Sequence, residues 1–398
     1  MLSNKTGINM GNVKNYNHSS ILNLLNNFGP MSRKDIAAKL KLTPAAVTLM
    51  CSEMIEKSIL LEMGEVEEKK VGRKKVLIDI NYEYRYILFI SIEAHDTFFG
   101  ISNLKGNLIC IDSIKTEISM GIESFIKKIT DKCKDFMWRR NINKEKILGI
   151  GVGIVGSIMT NDTYKNQDIE IKKVIEDQLD LPVVLRNNVK AFAQAELIYG
   201  GGKLFNNILF LKWGPGVGGT IVIDKKIYQG ENNKSAEIGH YIVDIKGKQC
   251  KCGKKGCLET EISYKNILEK VERIFSKKYT PQLYEKLNGD INLLTIENID
   301  ILFHCKDIKI KEIIENIMIN IAQAVVNINM ILSINQIILF GEIIEKDSIV
   351  EQFINYCNML DKKLNRSYIS KSSLSDKIKY IGPVSLVYNE LFLGNVCE

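Results

Sequence analysis

Residues 240–259 read HYIVDIKGKQCKCGKKGCLE. Three of the chain's nine cysteines, Cys250, Cys252 and Cys257, fall within eight residues here, starting ten positions after His240 and ending two before Glu259. The other six, Cys51, Cys110, Cys133, Cys305, Cys357 and Cys397, stand singly in apolar or helical surroundings and read as small core residues. One imidazole and three thiolates are the donor set of a closed, tetrahedral, structural zinc site. A Cys-x-Cys-Gly turn lets two sulfurs converge, and Lys251, Lys254 and Lys255 offset the negative charge of such a centre. No ligand position is left open, so metal catalysis is not expected. The plainer alternative is a surface loop with free thiols.

Composition bounds the rest. A chain of 398 residues, 45% hydrophobic and 25% charged, has room for two or three globular domains. No apolar run reaches the roughly 18 residues of a membrane span, and the start MLSNKTGINMGNVKNYNHSS lacks the apolar core of a signal peptide. The expectation is a cytoplasmic protein without a membrane partner. In a reducing compartment a dense cysteine cluster points to metal before disulfide. The net charge is +7, and residues 1–80 hold 12 Lys/Arg against 8 Asp/Glu, more than half of the excess in a fifth of the chain.

That basic segment carries three helical patterns and then two strands. SSILNLLNNFG places Ile21, Leu24 and Leu25 on one face and stops at Gly29-Pro30; SRKDIAAKL begins with Ser32 as N-cap; TPAAVTLMCSEMIEK begins with Thr43 as N-cap and Pro44 in the first turn. Val47, Met50, Cys51, Met54 and Ile55 follow the helical period inward, which leaves Ala45, Thr48 and Ser52 outward. ILLEMGEVEEKKVGRKKVLIDI then reads as strand, charged tip, strand. This is the layout of a winged helix-turn-helix over residues 1–80. Small outward residues let a helix approach base edges: Thr43, Thr48 and Ser52 offer hydrogen bonds and Ala45 can meet a thymine methyl. Arg33, Lys34, Lys39 and Lys41 would reach phosphates, and Arg73, Lys74 and Lys75 lie beside Gly72 at the wing. A three-helix protein-interaction module with a solvated charge run is the bland alternative.

From about Tyr82 the texture is α/β. YILFISIE, FFGISNL and LICIDSIK read as successive strands, GIESFIKKITDKCKDFMWRR as a helix, ILGIGVGIVG as a buried strand entering a Gly-rich loop, and LPVVLRNN as another strand. After the helix VKAFAQAELIYG, NILFLKWGPGVGGTIVIDKKIYQG repeats strand, Gly-rich turn, strand, and the last third is helical apart from INQIILFGE. Two lobes are expected, each opening with a β-meander.

The helix-turn-helix, LPVVLRNNVKAFAQAE, GPGVGG, AEIGH and the His-x9-Cys-x-Cys-x4-Cys-Leu-Glu cluster together resemble the ROK family of repressors and sugar kinases. The resemblance implies an actin-like, hexokinase-like two-lobed body over 81–398, with a small lobe of about 81–190 plus the C-terminal helix and a large lobe of about 191–380. It implies a sugar pocket in the cleft, touched by Asn187, Asn188, Glu237, His240 and Glu259, with zinc tying down the loop that shapes it. Ionised carboxylates suit sugar hydroxyls because a charged acceptor roughly doubles each hydrogen bond. Glu196 also matches an acid found near there, with a structural role more in keeping with its helix. Repressor members carry a winged helix and bind operator DNA as a homodimer or homotetramer to control carbohydrate genes, xylose metabolism among them.

The catalytic parts depart from the kinase pattern. Family kinases take the sugar proton with the aspartate of an Asn-Asp pair; here the pair is Asn187-Asn188, and an amide cannot be that base. Their Asp-x-Gly-Gly-Thr-like turn is replaced by Ser91-Ile92-Glu93-Ala94-His95, which loses the glycines and adds a negative charge where a polyphosphate would lie. GIVGSI also lacks the usual proline and acid, while GPGVGG is intact and is equally a turn between close-packed strands. The reading is a non-enzymatic, sugar-responsive repressor in which lobe closure alters the spacing of two DNA-reading helices. The alternative is a sugar kinase with another acid as base, Glu93 or Asp162 being nearest in sequence; a third is a constitutive DNA-binding or scaffolding dimer without ligand.

Overall fold

A computed structural model describes residues 10–66, 75–118, 121–156, 164–230 and 235–394. They form two compact units, 1–199 with 379–398 and 200–378, so the second is an insertion in the first. The division falls after Tyr199, which keeps the helix that follows Asn187 whole within the first unit.

The first unit begins with α1 (Met10–Phe28), a two-residue strand β1 (Met31–Ser32), α2 (Arg33–Leu40), α3 (Pro44–Glu56) and strands β2 (Leu60–Val66) and β3 (Lys75–Ile80). β3 lies between β1 and β2, antiparallel to both. The expected caps are made: the Asp35 N–H donates to Ser32 Oγ at 3.2 Å and the Ala46 N–H to Thr43 Oγ1 at 3.3 Å. Val47, Met50, Cys51 and Met54 are buried; Ile55 is only half-buried. α1 starts well before the expected Ser19, although Asn12, Asn15 and Asn17 are weak helix formers. Tertiary contacts override propensity there: His18 is 2% exposed and Lys14 Nζ lies 2.6 Å from Glu53 Oε2 on α3. The expected wing tip, with Arg73 and Lys74, lies outside the described residues.

The rest of this unit is a five-stranded sheet built from β4 (Tyr86–Ile92), β5 (Asp96–Asn103), β6 (Leu108–Lys115), β7 (Ile147–Ile154) and β8 (Val183–Asn187) in the order β6-β5-β4-β7-β8. The first three form the expected meander; β7 and β8 add parallel to β4. Helices α4 (Ile122–Arg139) and α5 (Tyr164–Leu179) pack against each other, and Phe125, Ile129, Cys133, Ile171 and Ile175 join the core of one sheet face. On the other face α6 (Asn188–Ile198) packs against the C-terminal helix Ile381–Val387.

The glycines of ILGIGVGI explain how that last helix fits. Gly149, Gly151 and Gly153 alternate on one face of β7, and a Cβ on each would meet Leu391 at 2.5 Å, the Pro383 carbonyl at 1.9 Å and the Pro383 ring at 3.1 Å. The helix therefore rests on bare backbone, a reason for glycine unrelated to phosphate binding.

The second unit contains β9 (Ile208–Trp213), β10 (Val217–Ile223), β11 (Lys226–Ile227), β12 (Gln336–Phe340) and β13 (Ile369–Lys371), in the order β11-β10-β9-β12-β13. β13, parallel to β12, was not anticipated, because three residues in the polar stretch NRSYISKSS give no periodic signal. Its helices are α7 (Leu258–Ile262), α8 (Tyr264–Glu272), α9 (Pro281–Lys286), α10 (Asp300–Phe303), α11 (Ile308–Leu332) and α12 (Asp347–Leu360). α11 is long and apolar enough to cross a membrane, which corrects the reading that no such segment exists; Asn and Gln punctuate its sequence and hide the run. Ile310, Ile314, Ile317, Met318, Ile321 and Val325 bury one face of it in the unit's core.

Gly151→Ala should cost about 1–3 kcal/mol, because the new methyl meets backbone that cannot rotate away. Thermal denaturation of the variant would show it; an unchanged melting temperature would mean the helix can lift from β7.

Candidate functional site

The loop after β11 gathers the cysteine cluster. His240 ends a short 3-10 turn, Ile238–His240, and the chain returns through two isolated bridges, Ile242 with Cys257 and Gln249 with Lys255. Two glycines make the return possible. Gly253 (φ +86°) closes the turn whose N–H donates to the Cys250 carbonyl, and Gly256 (φ +65°) sits where a Cβ would strike the Asp244 carbonyl at 1.4 Å. The Cys257 end is fixed by α7, whose Leu258 and Ile262 are buried and whose Ile262 carbonyl accepts from Trp213 Nε1 at 2.7 Å.

The four donor atoms of His240, Cys250, Cys252 and Cys257 all lie within 4.8 Å of one another. Cys252 Sγ is 3.5 Å from Cys257 Sγ, and Cys250 Sγ is 3.5 Å from Nδ1 of His240. A tetrahedral ion with metal–sulfur bonds near 2.3 Å needs donor separations of about 3.5 to 3.8 Å, so the donor set fits a metal ion. Burial pushes the Cys257 thiol up to about 12, helped by hydrogen bonds from Cys252 and Cys250, and raises Cys250 as well. Burial also raises Cys252, but the Lys254 N–H and hydrogen bonds with the other two thiols outweigh it and leave that thiol lowered. Two thiols that resist ionising alone, crowded against a third that ionises more readily, are an environment in which a bound cation displaces thiol protons.

Glu259, two residues on, already has a backbone partner. Its Oε2 accepts the Val217 N–H at 3.0 Å and so reaches into the Gly-rich turn between β9 and β10. A second carboxylate, unforeseen in the sequence, abuts the same turn: Glu342 Oε2 lies 2.1 Å from where a Gly214 Cβ would be, buried and with no hydrogen-bond donor among the described residues. Only a glycine at 214 admits it. Glu237 is exposed at the start of the 3-10 turn, on the approach to His240.

In the first unit, Asn187 ends β8 and caps α6, its Oδ1 accepting the Val189 N–H at 2.9 Å. Asn188 is 1% exposed and donates its amide to both Glu93 oxygens, at 3.1 and 2.9 Å. Ser91 Oγ donates to the same carboxylate at 3.3 Å. Asn188 and Glu93, two positions where the sequence is expected to depart from the kinase pattern, therefore form one hydrogen-bonded pair. Glu196 is buried, and Asp162 lies outside the described residues.

On the N-terminal segment, Thr43, Ala45 and Thr48 are exposed and Ser52 is half-buried along α3. Thr48 Oγ1 donates back to the Pro44 carbonyl, which leaves its oxygen to accept. Arg33 pairs with Glu62 at 2.9 Å, whereas Lys34 is exposed. Lys39 lies over the Phe28 ring at 4.2 Å.

Comparison with known proteins places this geometry. The model described as ROK family matches residues 112–390. The xylose repressor of Caldicellulosiruptor bescii is 24% identical over 407 residues, covering 96% of this chain and 98% of that protein. A crystal structure of a ROK family transcriptional regulator, a homolog of the Escherichia coli Mlc protein, superposes with a TM-score of 0.77 at 19% identity over 96% of this chain and 97% of that one. The ROK hexokinase from Thermus thermophilus gives 0.60 at 17% identity, covering 77% of this chain and 98% of its own.

Cys250→Ser should abolish stoichiometric metal binding and lower the melting temperature by about 5 °C or more, since metal affinity at such a loop is folding free energy. Elemental analysis and calorimetry would check this; full metal content in the variant would remove Cys250 from the donor set.

Proposed function

The chain belongs to the ROK family, and within it we propose that this protein is a DNA-binding transcriptional regulator, a repressor of carbohydrate genes, that responds to a sugar without phosphorylating it. The observation that carries this reading is the Asn188–Glu93 pair. A phosphoryl-transfer enzyme needs a carboxylate base beside the sugar hydroxyl and a backbone cradle for phosphate. Here an amide stands at the first position and is committed to an acid at the second. The other Gly-rich turn, at Gly214–Val217, meets the chain's own Glu259 and Glu342, whose charge opposes a polyphosphate.

Residues 10–80 are proposed to be a winged helix-turn-helix with α3 as the reading helix. Thr43, Ala45, Thr48 and Ser52 face bases; Lys34, with Arg33 once released from Glu62, contacts phosphates, and Arg73 and Lys74 belong to the wing. The regulator fold covers nearly the whole of this chain and the hexokinase fold about three-quarters of it, which accords with an added DNA-binding segment. A homodimer or homotetramer would bind two half-sites. The metal is proposed to be structural zinc, since Cys3His with no open position is a zinc set. Nδ1 of His240 faces the sulfurs, leaving Nε2 to meet a sugar hydroxyl, with Glu237, Glu259, Asn187 and Asn188 as further candidates. Pentoses come first among ligands because a full-length relative is named a xylose repressor.

Lys34→Ala should weaken DNA binding about equally across sequences and reduce the salt slope by about 1, read by fluorescence anisotropy at several salt concentrations. An unchanged slope would move α2 away from the phosphates.

Asn188→Asp should not create a kinase. It sets two carboxylates face to face, so its melting temperature should fall below the wild type's increasingly from about pH 4 to pH 7 as both ionise. Coupled-enzyme assays with D-xylose, glucose and N-acetylglucosamine plus Mg-ATP would test this; sugar phosphorylation by the wild type, above an Asn188→Ala control, would sink the non-enzymatic reading.

A further inference from the structure

A regulator of this kind needs a physical route from Asn187 and Asn188 to α3, and the first unit contains a continuous one. Arg186 precedes the two asparagines on β8, and its Nη2 lies 2.9 Å from Glu390 Oε1. Glu390 belongs to a π-helical turn, Tyr388–Leu393, that continues the C-terminal helix. The same turn holds Tyr388, fully buried and stacked on Phe392 at 5.2 Å, whose hydroxyl donates to Asn26 Oδ1 on α1 at 3.3 Å. Just beyond it, the Gly394 carbonyl accepts from Ser19 Oγ on α1 at 3.3 Å. α1 in turn grips α3, with Lys14 and His18 both against Glu53.

The π turn is the member of this series whose backbone bonding has a second register open to it, the α one. Its i→i+5 bonding accommodates one residue more per turn than an α-helix, and slipping to α register would rotate its two ends by about 100° relative to each other. Glu390 with Arg186, Tyr388 with Asn26 and Gly394 with Ser19 could not then all be kept. A packed core transmits a change of state through such an element and not by gradual deformation. The Arg186–Glu390 pair is about 40% exposed on both sides, so it adds little stability and its value is positional.

We propose that the Tyr388–Leu393 turn is the coupling element between the sugar-binding asparagines and the DNA-reading helix, with Arg186–Glu390 as its input and the Tyr388–Asn26 and Gly394–Ser19 bonds as its output. This rests on the sensor reading above for its purpose, but the mechanical link is testable without a ligand.

Hydrogen exchange is measured by mass spectrometry on the full chain as wild type, Glu390→Gln, Tyr388→Phe and the double variant, with Lys144→Ala, which breaks the Lys144–Asp180 pair of the same unit, as control. The proposal expects Glu390→Gln to raise exchange about threefold or more in residues 10–28 and 44–56, with the control silent there. Tyr388→Phe affects the same segments, and the double variant exceeds neither single, as for links in series. Exchange that changes only within 183–198 and 381–394, or single effects that multiply in the double, overturns it. Tyr388→Phe removes one hydroxyl from a buried ring and decides the matter alone if Glu390→Gln does not fold. The series is repeated with D-xylose. Protection of 183–198 that reaches α3 in the wild type and stops short of it in Glu390→Gln supports the link. A wild type indifferent to D-xylose counts against xylose as the effector, while the ligand-free comparison still decides the link.

Discussion

The C-terminal helix lying on three bare glycines of β7 is the contact on which the first unit depends. It brings Pro383 against Gly151 across more than two hundred residues of sequence, and it works only because no side chain intervenes. Burial follows from it: Val384, Val387 and Tyr388 are fully enclosed, and α6 packs on the same helix. Because the chain must return to make this contact, residues 200–378 are an insertion with a core of their own. The turn that continues the helix is then held against β8 at Arg186 and against α1 at Asn26 and Ser19.

The second unit is organised by a different constraint, the convergence of four soft donors on one point. Its glycines do conformational work, since Gly253 and Gly256 have positive φ. The loop, α7 and the Gly-rich turn are tied in series through Cys257, Leu258 and Glu259. A metal ion held there would order the turn as well as the loop. Both Gly-rich regions have thus been taken over by the chain's own groups, β7 by a helix and Gly214–Val217 by carboxylates.

Much of this was legible in the sequence, for reasons that differ by element. The caps at Ser32 and Thr43 and the strands β4 to β9 follow from local signals of side-chain chemistry and period, and the metal donors from spacing. What escaped depends on partners distant in sequence. The first turns of α1 are held by Glu53, β13 exists only as a neighbour of β12, and Glu342 matters only because Gly214 lies beside it. The link between Asn188 and Glu93 spans 95 residues; each was suspect on its own, but nothing local says that one satisfies the other. The packing of the β7 glycines against Pro383 and Leu391 likewise depends on residues more than two hundred positions away.

The most direct test of the account is the affinity of the full-length, zinc-loaded protein for DNA from upstream of its own gene, measured across salt concentrations with and without D-xylose, glucose or N-acetylglucosamine. The account predicts sequence-selective binding with a steep salt dependence, weakened by one of these sugars with no ATP present. Salt-sensitive binding without sequence preference, unmoved by any sugar, or a sugar effect that requires ATP turnover, would contradict it.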